Sequence, residues 1–394
     1  MGIYDFDKVI DRTTTDTYKY GNLKNYFGRD DLLPLWVADM DFETPECVTK
    51  VLRERVQHSL FGYTLMPEGY FETIAEWIEN HHGWKVDTKW MTYVPGIVRG
   101  IGFAINALLE KDEKIIIQPP VYHPFRLVPM GNKREVLYNP LIETEDGLYK
   151  MDFVGLEALI ASEPKARLLV LSNPHNPAGV VWDAEQLKTL AEICNKNNII
   201  VISDEIHCDM ALFGNKHIPF ASVSEEAANC SITFGAPSKT FNIAGIVSSY
   251  AIVPNKEIRK PLFDWMNANE LDWPSMFSPI ATMAAFRNGE DWRQEMLKYV
   301  EGNVMFVEDY IKENIPLIKV VRPQASFLVW LDCRGLNLDH DALLDLFINK
   351  ARLALNDGEM FGKEGAGHMR LNIGAPRSII AKAMDQLKEA VSAL

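Results

Sequence analysis

The residue best suited to chemistry in this sequence is Lys239, which stands in the stretch SITFGAPSKTFNIAG from Ser231 to Gly245. Ser231–Phe234 predicts a short strand, and the Gly-Ala-Pro that follows cannot continue it, so the lysine should lie on an irregular segment at a strand end. Its apolar neighbours predict partial desolvation, which favours the neutral amine. A neutral amine can attack a carbonyl carbon and form a Schiff base. The alternative is a solvated surface lysine, the commoner state of this residue type.

Two upstream segments place further polar side chains at the ends of predicted strands. The run NIIVIS at Asn198–Ser203 has the length and β-branched content of a strand buried on both faces, and it leads directly into DEIH at 204–207. The run RLLVL at Arg167–Leu171 is a second such strand and leads into SNPHNPAG at 172–179. Open α/β sheets bind ligands beyond the carboxyl ends of their strands. We therefore expect these side chains and Lys239 to meet at one edge of a sheet.

The motifs SNPHNPAG, SDEIH and APSKTFNIAG, in this order, resemble the signature of the fold-type-I pyridoxal-phosphate (PLP) enzymes, the aspartate-aminotransferase superfamily. WVADMDF near the start and RLNIGAPR near the end extend the resemblance over nearly the whole chain. Within the superfamily, WVADMDF, FGYT, SDEIH and SKTFNIAG together resemble the MalY/PatB-type C–S lyases, the group of cystalysin and cystathionine β-lyase. The resemblance implies PLP as cofactor, a small-molecule amino acid as substrate, and a homodimer with a shared active site.

The same resemblance assigns roles to individual residues. Lys239 and Tyr122 are the implied catalytic residues, and the lysine, once displaced from PLP by the substrate amine, is the implied general base at the substrate Cα. Asp204 is implied to keep the PLP ring nitrogen protonated, since PLP otherwise weakens as an electron sink. Glu205 is expected to point elsewhere, because successive residues leaving a strand face opposite sides. The other implied cofactor contacts are Asn176 at the phenolic oxygen, Tyr122 stacked on the ring, His207 beside Asp204, and Ser238, Tyr63 and the backbone amides of Ile97 and Val98 at the phosphate.

Substrate contacts are also implied by the resemblance. Arg370 in RLNIG is implied to bind the α-carboxylate, because a guanidinium forms two parallel hydrogen bonds with it, and the backbone at Ala38 is implied to assist. Tyr63 in FGYT is implied to reach the site from the neighbouring subunit, where it also borders the substrate; the alternative is a turn tyrosine in its own core. One position departs from the aminotransferase pattern, since Val247 stands where a phosphate-binding arginine is expected. How the phosphate is anchored therefore stays open.

The activity implied by the subgroup is β-elimination from cystathionine or cysteine-type amino acids, which releases a thiol, pyruvate and ammonia. An aminotransferase would use almost the same residues and reprotonate at the cofactor carbon. A third reading is a PLP-binding regulator that contacts a transcription factor, as some relatives of the subgroup do. The sequence leaves all three open, and the subgroup resemblance favours elimination.

A recurring strand, helix, strand pattern from about 114 to 253 requires a largely parallel sheet with right-handed crossovers. We predict an α/β fold with a mostly parallel, seven-stranded-type sheet between helices in a large PLP-binding domain, residues 46–285. Residues 286–394, completed by an N-terminal arm of residues 1–45, are predicted to form a smaller α+β domain. Its predicted elements are a helix at Asp291–Glu313, a strand at Ser326–Leu331, a helix at Asp341–Arg352 and a strand at His368–Ile373, with WVADMDF in the arm as a short strand followed by a loop.

The bulk composition excludes several classes of function. The chain has 394 residues and a formal net charge of −14 without basic runs, which argues against nucleic-acid or anionic-membrane binding. Its five cysteines form no C-x-x-C pair, so neither a disulfide framework nor a metal site is expected, and reduced cytosolic thiols fit best. The start MGIYDFDKV lacks the apolar core of a signal peptide, and no apolar run approaches the roughly 20 residues of a membrane span. We therefore expect a cytoplasmic protein.

Overall fold

The computed structural model describes residues 3–394; Met1 and Gly2, the first residues of the predicted arm, lie outside the described residues. Its strands are mostly short runs of apolar and β-branched residues, as the sequence predicts. In chain order they are β1 Leu33–Pro34, β2 Met91–Val94, β3 Lys114–Ile117, β4 Val136–Tyr138, β5 Ile142–Glu143, β6 Tyr149–Lys150, β7 Ala166–Ser172, β8 Ile200–Asp204, β9 Ser231–Gly235, β10 Ser249–Ile252, β11 Lys319–Val321, β12 Leu328–Asp332, β13 Leu353–Ala354, β14 Asn356–Asp357 and β15 His368–Asn372.

The helices flank these strands and account for most of the remaining secondary structure. In residues 3–394 none of them combines the length and apolarity needed to cross a membrane. In chain order they are α1 Tyr18–Gly21, α2 Leu23–Phe27, α3 Glu46–Gln57, α4 Tyr70–His82, α5 Ile97–Leu108, α6 Pro124–Gly131, α7 Phe153–Ser162, α8 Ala184–Lys196, α9 Glu225–Cys230, α10 Lys256–Ala268, α11 Phe277–Asn288, α12 Glu290–Asn314, α13 His340–Asp345 and α14 Arg377–Ser392.

The large sheet has seven strands in the order β2-β10-β9-β8-β7-β3-β4. Only β10 runs antiparallel to its neighbours, so the α/β prediction of a mostly parallel sheet is confirmed. Ser172 at the end of β7 lies opposite Asp204 at the end of β8. The carboxyl ends of these strands therefore present their polar residues together, at the edge where open α/β sheets bind ligands.

A second sheet of four strands, in the order β11-β12-β15-β14, carries the predicted carboxylate-binding arginine in β15. The arm joins this part of the chain through β1, which pairs in parallel with β13. The division into a large domain of residues 46–285 and a small domain of residues 1–45 and 286–394 remains a prediction.

Two local predictions are wrong. WVADMDF contains no strand, because the arm pairs with β13 one segment earlier, at Leu33–Pro34. The predicted helix Asp341–Arg352 ends as α13 at Asp345 and continues as a π-helical turn, Leu346–Lys350. Arg352 then adopts a φ of 54°, which turns the chain directly into β13. A regular helix could not make that reversal, so tertiary pairing overrides the local helical pattern.

Helix α5 packs unusually close to the large sheet. A Cβ built on Gly100 would approach the Phe234 ring and a Val94 methyl group to 2.9 Å. Real Cβ atoms essentially never come so close, so only glycine fits this contact without movement. The contact fixes the distance between the start of α5 and the end of β9.

We predict that Gly100→Ala destabilises the fold by about 1–3 kcal/mol, the usual cost of overpacking a core. Gly131→Ala in α6 is the matched control, because apart from its own chain neighbours no atom of the described residues lies within 4 Å of the added methyl group. Alanine gains about 0.5–1 kcal/mol over glycine inside a helix, so the control should be neutral or slightly stabilised. Urea unfolding followed by circular dichroism measures both. Equal midpoints for the two variants would contradict the close-packing argument.

Candidate active site

A pocket of about 120 Å³ lies at the carboxyl edge of the large sheet. Most of the site residues predicted from the sequence meet in its wall, although they come from segments far apart in the chain. The residues that line it are Ala38, Ile97, Val98, Tyr122, Ser172, Asn176, Asp204, Ile206, His207 and Lys239.

Lys239 reaches this pocket from the irregular segment after β9, as the Gly-Ala-Pro sequence predicts. Its Nζ donates a hydrogen bond to the Ala38 carbonyl oxygen. Burial lowers the pKa of Lys239 to about 8, and the negative charge of Asp39 only partly opposes that shift. A much larger fraction of this amine is therefore neutral near pH 7 than of a solvated lysine, whose pKa is near 10.4.

Asp204 ends β8 and is the buried acid of the pocket. Its Oδ1 accepts a 3.1 Å hydrogen bond from the Ile206 backbone N–H, and burial raises its pKa to about 7. His207 is also buried, which lowers its pKa to about 3, and its Nδ1 has no hydrogen-bond partner among residues 3–394. A buried carboxylate with so few donors is energetically costly unless a cation or N–H group pairs with it. The protonated ring nitrogen of PLP is a partner of that kind, so the acid end of the pocket fits this cofactor.

A binding site for the phosphate of PLP requires hydrogen-bond donors, and the start of α5 provides them. Gly96 precedes the helix with a φ of 104°, and the first backbone amides belong to Ile97 and Val98, both in the pocket wall. The first four N–H groups of a helix have no partner within the helix, and they favour phosphate. Val247 lies beside Gly96, 3.9 Å from where a Cβ would stand, so the position without arginine borders this same cradle. A phosphate bound here would therefore be held by backbone dipoles more than by that side chain.

Arg370 in β15 approaches the pocket from the second sheet. Its Nη1 donates to Asn176 Oδ1 at 2.8 Å, and its Nη2 donates to the Trp36 carbonyl at 3.1 Å and to Asn356 Oδ1 at 2.6 Å. Burial lowers its pKa to about 10. Among residues 3–394 no acidic side chain forms a salt bridge with it, and its Nε has no partner. A buried guanidinium in this state suits an anionic ligand such as a carboxylate.

Three predicted residues stay outside the pocket wall: Arg370, which contacts the wall residue Asn176, and also Ser238 and Tyr63. Ser238 is buried but does not line the pocket, and Tyr63 is fully exposed on an irregular segment between α3 and α4. Tyr63 is therefore not a core tyrosine of its own chain. Glu205 also points away, since its carboxylate accepts hydrogen bonds from Ser203 Oγ at 2.8 Å, the Phe220 N–H at 2.9 Å and His217 Nε2 at 2.9 Å.

Ser172 and Ile206 line the pocket although sequence reasoning did not select them. Ser172 Oγ accepts a 3.0 Å hydrogen bond from the Asn176 backbone N–H and so holds the turn that carries Asn176. Ile206 stands two residues after Asp204, in the turn that follows β8. Its place just beyond the carboxyl end of a predicted strand is a signal that could have identified Ile206 from the sequence.

The whole chain matches known proteins. The sequence model of the aminotransferase class I and II family matches residues 30–387. Cystathionine β-lyase PatB of Bacillus subtilis is 39% identical over 98% of this chain and 100% of its own length. A PLP-bound protein of Clostridium difficile 630 with a provisional aminotransferase name is 40% identical, with a TM-score of 0.96 over 98% of this chain and 100% of that one. The PLP-bound C–S lyase of Staphylococcus hominis is 34% identical, with a TM-score of 0.91 over 98% of each chain.

The motifs that suggested the superfamily, the mostly parallel sheet and these matches agree with one another. The chain belongs to the aminotransferase class I and II family, in the MalY/PatB-type group of fold-type-I enzymes that includes PatB.

Proposed function

We propose that this protein is a PLP-dependent carbon–sulfur lyase that removes the thiol from cystathionine or cysteine-type amino acids. The observation that carries the proposal is the presence of a buried amine with a lowered pKa, Lys239, and a buried carboxylate, Asp204, in the wall of one small pocket. Its similarity to a cystathionine β-lyase and to a PLP-bound C–S lyase supports the choice of reaction.

The cofactor would be held from three sides. Lys239 would bind it covalently, Asp204 would pair with its ring nitrogen, and the amides of Ile97 and Val98 would bind its phosphate. Tyr122, which is buried so that its pKa is raised, would pack against the ring. When bound, PLP supplies an electron sink for charge that develops at the substrate Cα. Asn176, His207 and Ser238 would complete the contacts to the ring and phosphate.

Other side chains would bind the substrate and remove its Cα proton. Arg370 would hold the substrate α-carboxylate and fix the direction of the Cα–H bond, helped by the backbone at Ala38. The Lys239 amine, whose pKa lies near neutrality, would take the Cα proton as general base. The Cβ–S bond breaks, the thiolate leaves with the electron pair, and water converts the three-carbon remainder into pyruvate and ammonia.

Transamination is the second candidate, because the family name and the provisional name of the Clostridium difficile protein both refer to aminotransferases. It would use the same pocket, and it would require a 2-oxo acid as amino-group acceptor. A regulator that binds PLP and acts by protein contact is the third candidate. The names of PatB and of the Staphylococcus hominis enzyme favour elimination.

We also propose a cytoplasmic homodimer in which Tyr63 completes the partner's site. In one subunit Tyr63 is fully exposed, and it is flanked by the exposed apolar residues Leu60, Phe61 and Leu65. Such a cluster gains free energy when a second subunit covers it. All five cysteines are free thiols, which suits a reducing compartment.

Purified holoenzyme should release pyruvate from cystathionine without any 2-oxo acid, because elimination needs no amino-group acceptor. Lys239→Ala should lower that rate by at least about a thousandfold, since it removes both the covalent anchor and the base. A lactate dehydrogenase coupled assay measures the pyruvate, and circular dichroism checks the fold of the variant. Strict dependence on an added 2-oxo acid would favour transamination, and PLP binding with neither reaction would favour the regulator.

The rate at which the PLP-free chain takes up PLP should rise with pH and reach half its maximum near pH 8. The reason is that burial lowers the pKa of Lys239 to about 8, so the nucleophilic neutral amine predominates above that pH. In a solvated lysine the neutral amine would predominate only above about pH 10.4. Absorbance of the bound cofactor, recorded after mixing at pH 6 to 10, gives the profile. A midpoint near 10 would show that the amine is not desolvated.

Mixing two inactive variants tests the shared site. If Lys239→Ala and Tyr63→Ala chains are unfolded together and refolded, half of the dimers are mixed, and each mixed dimer contains one intact site. About one quarter of the wild-type pyruvate rate should return. Each variant refolded alone is the control. No recovery, with mixed dimers verified by mass spectrometry, would mean that Tyr63 does not act across the interface.

A further inference from the structure

A second and larger cavity, of about 570 Å³, adjoins the small pocket. Ala38 and Lys239 line both, so the two spaces meet at the amine. The small pocket, at about 120 Å³, is below the roughly 300–1,000 Å³ of typical ligand sites and has no room for a long leaving group beside a cofactor. The large cavity falls within that range.

The large cavity also lies toward the substrate end of the site. Asp39 in its wall is the charge with the largest effect on the pKa of Lys239, and Arg370 affects the same amine. Tyr18, another wall residue, is near enough to influence the pKa of Tyr122. Asn372, two residues after Arg370 in β15, donates hydrogen bonds to the carbonyls of the wall residues Val37 and Asp39. The cavity therefore adjoins both Lys239 and the loop bonded to the strand of Arg370, and a leaving group on the Cβ of a substrate held beside Lys239 would enter it.

A network of two cations and two anions lies at this wall. Arg12, Asp39 and Asp41 line the cavity, and the fourth member, Lys19, is buried and does not line it. Arg12 Nη2 is 2.6 Å from Asp39 Oδ2, and its Nη1 is 2.6 Å from Asp41 Oδ1. Lys19 Nζ is 2.8 Å from Asp41 Oδ2. The side chains of Lys19 and Asp41 are 0% and 8% exposed, whereas those of Arg12 and Asp39 are 20% and 21% exposed. Arg12 and Asp39 are thus the pair that a ligand in the cavity can reach.

We propose that this cavity is the subsite for the leaving group, and that Arg12 and Asp39 select leaving groups that end in both a carboxylate and an ammonium, as the distal half of cystathionine does. The proposal rests on the proposed lyase function and names the substrate class of the same site.

The selection would arise because Arg12 and Asp39 can each exchange the other, its present ion-pair partner, for a charged group of the ligand. The guanidinium of Arg12 can donate two N–H groups to a ligand carboxylate, and the Asp39 carboxylate can accept hydrogen bonds from a ligand ammonium group. Because the ligand end carries one charge of each sign, the exchange replaces the Arg12–Asp39 pair with two pairs to the ligand and leaves the net charge unchanged. A leaving group with a single charge leaves one partner unpaired, and a methyl group makes no polar contact at all. Cystathionine therefore gains affinity here that S-methyl-L-cysteine cannot gain.

The test compares these two substrates in the holoenzyme. Arg12→Gln should raise KM for cystathionine about tenfold relative to KM for S-methyl-L-cysteine, with little change in the ratio of the two kcat values. Arg12→Lys keeps the positive charge but loses the paired N–H groups of the guanidinium. It should therefore raise the ratio of the two KM values less than Arg12→Gln does. Arg29→Gln is the matched control, since Arg29 pairs with Asp31 in the same arm but away from the cavity, and it should leave the ratio unchanged.

Equal losses for both substrates would overturn the proposal, because they would mean that the Arg12 ion pairs only support the loop beside Lys239. Calorimetry with Lys239→Ala chains, with and without Arg12→Gln, separates this result from a failure of the lyase function. Cystathionine should bind about tenfold more weakly when Arg12 is replaced, even if the wild-type chain releases no pyruvate. Equal binding by both chains would also overturn the subsite.

Discussion

The site depends on the burial of an amine, a carboxylate and a guanidinium within one region of the protein. Removing each of these groups from water is costly unless a partner compensates. Burial shifts the pKa of Asp204 to about 7, of Lys239 to about 8 and of Arg370 to about 10, and each shift disfavours the charged form. PLP and an amino acid carry the complementary groups. The fold thus holds these side chains in a state that binding of such ligands would relieve.

The loop at residues 36–42 connects the two parts of the site. Asn372 donates to the carbonyls of Val37 and Asp39 at 2.6 and 2.7 Å, and it stands two residues after Arg370 in β15. Asn242 stands three residues after Lys239 and donates to the carbonyl of Phe42 at 2.8 Å. The Lys239 amine itself donates to the Ala38 carbonyl. One loop is therefore bonded both to the strand that carries the arginine and to the segment that carries the lysine, so their relative positions are fixed through backbone carbonyls.

This arrangement explains how one family can support elimination and transamination with similar residues. The groups proposed to bind the cofactor and to remove the Cα proton come mostly from the large sheet and its loops, and both reactions would require them. In the proposed lyase the Cβ substituent would leave toward the larger cavity beside Lys239, and the arm supplies most of the wall of that cavity. The arm, which contributes little regular structure, is thus the part of the chain best placed to set the substrate.

The sequence alone determined the α/β class and the chemical groups at the strand ends. Buried strands read as continuous apolar runs, so the residues directly after them, such as Asp204, Asn176 and Lys239, could be located by local pattern. It did not determine the contact between Arg370 and Asn176, which are 194 residues apart, or that the arm pairs at Leu33–Pro34 and not at WVADMDF. Nor did it reveal the second cavity or the size of the pKa shifts. These features depend on distances between remote segments and on burial, and both are decided only when the chain packs.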